Sequence, residues 1–121
     1  MGYPSDVVIV LNKAGIEELD KKIAELPDVD DKECVMNCLD LMVNRYRSGD
    51  FELFQWRSIN WYPNYDGHRG ASLLDGLIYN MPYGNYRFIR IGYEYDDIEV
   101  RGALYDNPFD AHVERTIRFN V

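Results

Sequence analysis

The sequence predicts an α+β fold in which an antiparallel sheet of about four to five strands carries two or three helices packed on one face. Two observations indicate this class. In the first half, a β-branched run is followed by two segments whose apolar residues have the spacing of a helix. The closing third consists of strand-like segments separated by turn formers. With 121 residues, 46% of them hydrophobic, we expect a single domain, residues 1–121, with a core that needs no disulfide or metal.

The first half predicts one strand and two helices. The run Val7-Val8-Ile9-Val10-Leu11 is typical of a buried strand. Asn12 can cap the next segment, which has the apolar stripe of a helix, formed by Ile16, Leu19, Ile23 and Leu26. The acidic stretch 28–31 can cap a second helix, whose apolar period continues to Tyr46.

The second half predicts mostly sheet. Residues 51–62 are rich in aromatic side chains and favour a long strand, and a loop dense in turn formers follows. Ser72 can cap a short helix that ends before Pro82. The remaining strands are predicted at 86–93, 98–104 and 116–121.

The charge of the chain limits its partners. The formal net charge is −8, spread over both halves. Because nucleic-acid binding depends on Lys and Arg that displace counterions, we expect no direct contact with nucleic acid or with an anionic membrane. A basic protein, attracted by the opposite field, is favoured as partner, including a host protein that itself binds nucleic acid.

Neither cofactor, metal nor catalytic centre is predicted. Cys34 and Cys38 are spaced for one helix face, as two small core thiols, and a metal site would need more ligands. Phosphate-binding, dinucleotide-binding, metalloprotease and nucleophile-elbow motifs are all missing from the sequence. Without a signal peptide, an apolar run of spanning length or a disulfide framework, we expect a cytoplasmic, non-enzymatic protein.

The most unusual stretch is an acidic, tyrosine-rich run without a cation. We predict that it forms a partner-binding surface made of Tyr93, Glu94, Tyr95, Asp96, Asp97 and Glu99. Tyrosine anchors partners at low entropic cost, and the carboxylates would attract a basic surface. The alternative interpretation is a solvated turn that keeps the sheet edge from pairing with other chains.

Two further groups are weaker candidates. A second acidic patch, Asp28, Asp30, Asp31 and Glu33, is explained by helix capping and dipole compensation unless it contacts the same partner. If both patches lie on one side, their carboxylates could mimic the phosphates of a nucleic acid. A possible ligand loop contains Trp61, Tyr65, His68 and Arg69, although one histidine is thin support for a site.

The strand segments FELFQWRSINWY, residues 51–62, and YRFIRIGYEYDDIEVRG, residues 86–102, resemble those of small accessory proteins of phages and prophages. The opening, with Tyr3-Pro4-Ser5-Asp6-Val7-Val8 followed by the first helix, is similar too. The resemblance implies a phage product of the host-takeover or anti-defence kind, acting in the host cytoplasm, and it transfers no site residues.

Three functions follow in order of preference. The first is a phage-type binding protein that inhibits a host protein through its acidic, tyrosine-rich surface. The second is an immunity protein or antitoxin that neutralises a basic toxin. The third is a small-ligand binder or enzyme. A homodimer is also possible, since a last strand ending in Arg118-Phe119-Asn120-Val121 could pair across a dimer axis.

Overall fold

The computed structural model describes residues 4–61, 69–92, 94 and 96–113. Within them the predicted α+β class is confirmed: one open antiparallel sheet of five strands is accompanied by three helices. In chain order the elements are β1 (Ser5–Leu11), α1 (Lys13–Ala24), α2 (Val29–Asp40), β2 (Asn44–Ser48), β3 (Phe51–Ile59), α3 (Arg69–Tyr79), a 3₁₀ turn (Tyr83–Asn85), β4 (Tyr86–Ile91) and β5 (Ile98–Gly102).

The sheet has the strand order β2-β3-β1-β4-β5, and every neighbouring pair is antiparallel. β1 therefore lies at the centre, where its β-branched residues are covered on both sides by paired strands. Ile9 faces Phe54 of β3 and Phe88 of β4. The two edges of the sheet are formed by β2 and β5, and no other described strand pairs with the outer side of either.

The core lies between the three helices and one face of the sheet. It contains residues from every helix and from the three central strands, including Leu19, Val35, Leu74, Ile9, Trp56 and Phe88. The indole of Trp56 donates to the carbonyl oxygen of Cys38 at 2.8 Å, so the largest core ring has its polar atom satisfied. That residues 1–121 form a single domain remains a prediction.

Asn12 caps α1 as predicted. Its Oδ1 accepts from the Gly15 amide at 2.8 Å, and its Nδ2 donates to Asn85 Oδ1 at 3.3 Å. The Asn12 amide also donates to the Asn85 carbonyl at 3.3 Å. One residue thus starts the helix and ties it to the turn before β4.

The second predicted helix is too long, and this prediction is wrong beyond Asp40. Tyr46 lies in β2, because the Val43 amide donates to the Gln55 carbonyl at 2.9 Å and begins a hairpin with β3. Gly49, at φ +59°, makes the turn of that hairpin. α3 begins at Arg69, three residues before the predicted cap, and the predicted strand 116–121 lies outside the described residues.

The second face of the sheet carries none of the three described helices, and we call it the helix-free face. Val10, Leu53 and Ile89 are nevertheless buried there. Phe109 and Ala111, from the segment that follows β5, line a cavity together with this face. The sheet is therefore apolar on both faces.

Candidate partner-binding surface

The acidic run forms the turn between β4 and β5. The Gly92 amide donates to the Asp97 carbonyl at 2.7 Å, and the Asp97 amide donates to the Glu94 carbonyl at 3.1 Å. Glu94 and Asp96 are exposed. Tyr93 and Tyr95, the two predicted anchors, lie outside the described residues.

The four carboxylates of this turn divide into two pairs with different tasks. Asp97 forms a bidentate ion pair with Arg90, with the shorter bond at 2.8 Å. Glu99 accepts from Arg90 Nε at 3.3 Å and lies 3.0 Å from Arg101 Nε. Glu94 and Asp96 form no ion pair with any described residue, so only these two offer uncompensated charge to a partner.

Arg90 explains why two acids are held in place. Its side chain is only 10% exposed, on the helix-covered face of the sheet, and it also contacts the Ser5 hydroxyl at 3.3 Å. Burial lowers the pKa of Arg90, but the hydrogen bonds and charges of Asp97 and Glu99 outweigh it and raise the pKa above its ordinary value. The arginine therefore keeps its charge and fixes the turn to β4.

The ion pairs continue into α3. Arg101 of β5 is bound to Asp75, and the indole of Trp61 donates to the same carboxylate at 3.1 Å. The Arg101 guanidinium also lies 4.1 Å from the centroid of the Phe88 ring. We call the chain of five charges the ion-pair network; it consists of Asp75, Arg101, Glu99, Arg90 and Asp97.

β5 is an edge strand of the described sheet, paired only with β4 among the described residues. Its Ile98 and Val100 are 36% and 44% exposed, on the helix-free face of the sheet. Since bonded and non-bonded pairs alternate along an antiparallel ladder, the Gly92–Asp97 bond places the next bonded pairs at Glu99 and Arg101. The backbone N–H and C=O groups of Val100 therefore point away from β4, whereas the Ile98 amide donates to the Asp96 carbonyl at 2.9 Å.

A tyrosine cluster lies at the other end of β5. Tyr79, Tyr83 and Tyr105 are 66%, 60% and 69% exposed. The hydroxyls of Tyr83 and Tyr105 are 3.0 Å apart, and this hydrogen bond raises the pKa of Tyr83. Tyr79 and Tyr83 line a groove of about 430 Å³ together with Val100.

These three tyrosines were not among the predicted site residues. The density of tyrosine in the second half was a usable signal, but it could not separate exposed rings from core rings such as Tyr86. Among the described residues, the exposed tyrosine cluster lies at the end of β5 opposite the acidic turn, and the prediction for Tyr93 and Tyr95 stays a prediction.

The second acidic patch has a structural role. Asp28 is the N-cap of α2, where its Oδ1 accepts from the Asp30 amide at 2.8 Å, and Asp31 is bound to Arg69. Asp30 and Glu33 are exposed. No contact between described residues joins this patch to the acidic turn, so the structure does not bring the two predicted patches together.

The predicted ligand loop is only partly described. Trp61 is 1% exposed and packs between Trp56 and Phe88, with ring centroids 5.1 and 6.0 Å away. It is a core residue, which corrects its interpretation as a ligand contact. Arg69 begins α3 and is held by Asp31, while Tyr65 and His68 lie outside the described residues.

A different cavity lies on the helix-free face. It has a volume of about 430 Å³ and an apolar floor, with a rim that includes Asp6, Gln55, Arg57 and His112. Its size lies at the lower end of the range typical of small-molecule sites. This cavity has no local sequence pattern, because its residues come from four strands and the segment after β5.

The two cysteines lie on the inner side of α2. Cys38 is buried, and desolvation raises its pKa to about 12, while Cys34 is half-buried. A thiol with such a pKa stays protonated and unreactive at neutral pH. Among the described residues, no cluster of three or more His, Cys, Asp or Glu is arranged to hold a metal ion.

Comparison of the chain with family models, curated proteins and solved structures gave no match. None of the described helices combines the length and the apolar character required to cross a membrane.

Proposed function

We propose that this chain is a non-catalytic binding protein that inhibits a basic host protein through the acidic turn and the tyrosine cluster at the two ends of β5. The observation that carries the proposal is the division of the acidic turn. Asp97 and Glu99 hold the turn to Arg90, whereas Glu94 and Asp96 stay exposed and form no ion pair with described residues.

The arrangement suits a protein partner. Exposed carboxylates on a chain of net charge −8 accelerate the encounter with a basic surface. Tyr83 and Tyr105 are already linked by a hydrogen bond, so docking against them costs little side-chain entropy. A held turn and pre-positioned rings favour tight binding.

The origin of the partner is the finer part of the proposal. The resemblance to phage accessory proteins favours a host defence or nucleic-acid-processing protein in the host cytoplasm, with the carboxylates taking the place of phosphates. An immunity protein or antitoxin that binds a basic toxin would use the same surface. The identity of the captured partner distinguishes the two.

The test is affinity capture from nuclease-treated bacterial lysate at low and moderate salt, followed by affinity measurements with the captured protein. We expect Glu94→Lys combined with Asp96→Lys to weaken binding more than about tenfold, through loss of steering and contact. Tyr83→Ala should weaken it about tenfold, as interface anchors do.

The matched control is Glu17→Lys combined with Glu25→Lys on α1, which changes the net charge by the same amount at exposed positions. It should leave affinity nearly unchanged. Equal losses in the two double variants would mean that global charge, and not the acidic turn, attracts the partner. Asp30→Lys with Glu33→Lys then shows whether the second patch takes part, as phosphate mimicry across both patches requires.

A second candidate function rests on the cavity of the helix-free face. Its apolar floor and charged rim favour a small amphipathic molecule. Ligand-observed NMR with a library of such molecules, repeated with Val8→Phe to fill the floor, tests it. Binding that disappears in this variant supports a ligand site, whereas a library without any binder removes this function.

A further inference from the structure

We propose that β5 pairs with β5 of a second copy of this chain, antiparallel and about a twofold axis at Val100, which joins two five-stranded sheets into one. This pairing differs from the dimer predicted through residues 118–121, which lie outside the described residues. It goes beyond the proposed function and does not depend on a host partner.

The backbone hydrogen-bonding groups of β5 point in the direction that this pairing requires. Val100 directs its N–H and C=O groups away from β4, because Glu99 and Arg101 form the bonded pairs with that strand. The Ile98 amide already donates to the Asp96 carbonyl at 2.9 Å, so the pairing rests on Val100. A twofold axis at Val100 makes Val100 of the two copies a bonded pair. Each Val100 then donates to and accepts from its counterpart.

The charges of β5 select this register among its neighbours. With the axis at Val100, Glu99 of each copy lies opposite Arg101 of the other, on the helix-covered face. A shift that centres the axis on Glu99 places two glutamates opposite each other, and one centred on Arg101 places two arginines opposite each other. Opposite charges stabilise cross-strand pairs and like charges destabilise them, so only the Val100 register is self-complementary.

The apolar side chains of the edge agree with this register. Val100, 44% exposed in the single chain, packs against Val100 of the second copy on the helix-free face. Ile98 lies opposite Gly102 of the second copy, whose lack of a side chain leaves room for it. Both exposed apolar residues of β5 are covered.

The same register joins the two ends of the edge. The acidic turn precedes Ile98 and the tyrosine cluster follows Gly102, so antiparallel pairing carries Asp96 of one copy toward Tyr105 of the other. The dimer therefore presents two composite surfaces, each with carboxylates from one copy and tyrosines from its counterpart.

The first test is the mass in solution. We expect the full chain to sediment at twice its 14.2 kDa with increasing concentration. Val100→Pro removes an amide that points away from β4, so it should leave the fold intact and weaken the dimer more than about tenfold, while Val100→Thr, which keeps the amide, should not. A chain that stays at 14.2 kDa at all concentrations, or a proline variant that dimerises normally, overturns the proposal.

The second test remains decisive if the proline variant fails to fold. Under mild oxidation Val100→Cys should form a disulfide-linked dimer, since the Cα atoms of a bonded antiparallel pair are about 5.5 Å apart, within disulfide range. Ile98→Cys should not, because the register separates the two copies of this residue by about 13 Å. The unchanged chain controls for Cys34 and Cys38. Equal cross-linking of both variants, or of neither, overturns the register.

Discussion

The two edge strands of the sheet have the same length, five residues, but opposite charge patterns. β2 places Arg45 and Arg47 on the helix-covered face, and β5 places Glu99 and Arg101 there. A symmetric pairing of β2 centred on Arg45, Tyr46 or Arg47 opposes arginine to arginine. β2 is thereby protected from self-association, whereas β5 is complementary to itself.

The difference does not come from apolar exposure. Among the described residues, large exposed hydrophobic side chains are equally divided between the stretch that ends in β2 and the elements around β5. The first group is Val29, Met36, Leu41, Val43 and Tyr46, and the second is Tyr79, Tyr83, Ile98, Val100 and Tyr105. Two charges, spaced two residues apart, decide which edge can find a second copy.

The largest expected contrast concerns the glycine at the end of each edge strand. A Cβ at Gly102, φ +84°, would lie 2.2 Å from the Tyr86 carbonyl oxygen, whereas one at Gly49, φ +59°, meets no atom within 4 Å. We expect Gly102→Ala to cost about 3 kcal/mol of unfolding free energy or more, and Gly49→Ala about 1 kcal/mol, the backbone cost alone. Urea denaturation measures both. Similar losses would contradict the close packing of β5 on Tyr86.

The next contrast concerns two arginines of the helix-covered face, Arg90 in β4 and Arg45 in β2. Arg90 is 10% exposed and binds two carboxylates, while Arg45 is 53% exposed and binds Glu52. We expect Arg90→Met, which keeps most of the aliphatic stem, to cost about 2 kcal/mol, because Asp97 loses its ion-pair partner and Glu99 keeps only Arg101. Arg45→Met should cost at most about 1 kcal/mol. Thermal and urea unfolding measure both losses of unfolding free energy. A larger loss for Arg45→Met than for Arg90→Met would contradict the greater structural role of Arg90.

A charge reversal on β2 should remove its protection. Arg47→Glu places glutamate opposite Arg45 in a symmetric pairing about Tyr46, while the cost from the neighbouring Glu52 is about 0.5 kcal/mol. Since β5 can still pair, we expect assemblies larger than a dimer by light scattering. Arg47→Gln, which removes the repulsion without adding attraction, is the control. An Arg47→Glu variant that forms nothing beyond a dimer would show that charge does not protect β2.

The smallest expected effect is that of salt on the β5 dimer. Its cross-strand pairs are partly exposed, with Glu99 at 41%, so raising the salt concentration tenfold should weaken the dimer only about threefold. Sedimentation at two salt concentrations measures this. A complete loss of the dimer in salt would mean that backbone pairing contributes little.

The sequence predicted most of the fold because most elements follow their own local pattern. The β-branched run of β1, the cap and stripe of α1 and the alternation of β4 are all local signals. The prediction missed β2 because the apolar spacing of α2 continues by chance to Tyr46. Only the pairing with β3 reveals the strand. Propensity was overridden by a tertiary partner.

The candidate surface was predicted less completely. Composition located the acidic turn, but the division of its carboxylates depends on Arg90 and Arg101, which register across β4 and β5 places beside them. Trp61 was misassigned because an indole that donates to Asp75 looks the same in sequence as one that faces a ligand. The sequence does not indicate which residues of β5 direct their backbone N–H and C=O groups away from β4.

The central position of β1 has a consequence for synthesis. β1 precedes both of its neighbours in the chain, and its residues pair with partners as distant as Tyr86–Ile91. A nascent chain leaving the ribosome therefore exposes this apolar strand until β4 has emerged, and contacts of such separation form late. Because β1 is made before all the other described strands and is among the last to be fully paired, we expect translation and early chaperone binding, more than native stability, to limit the yield of this protein.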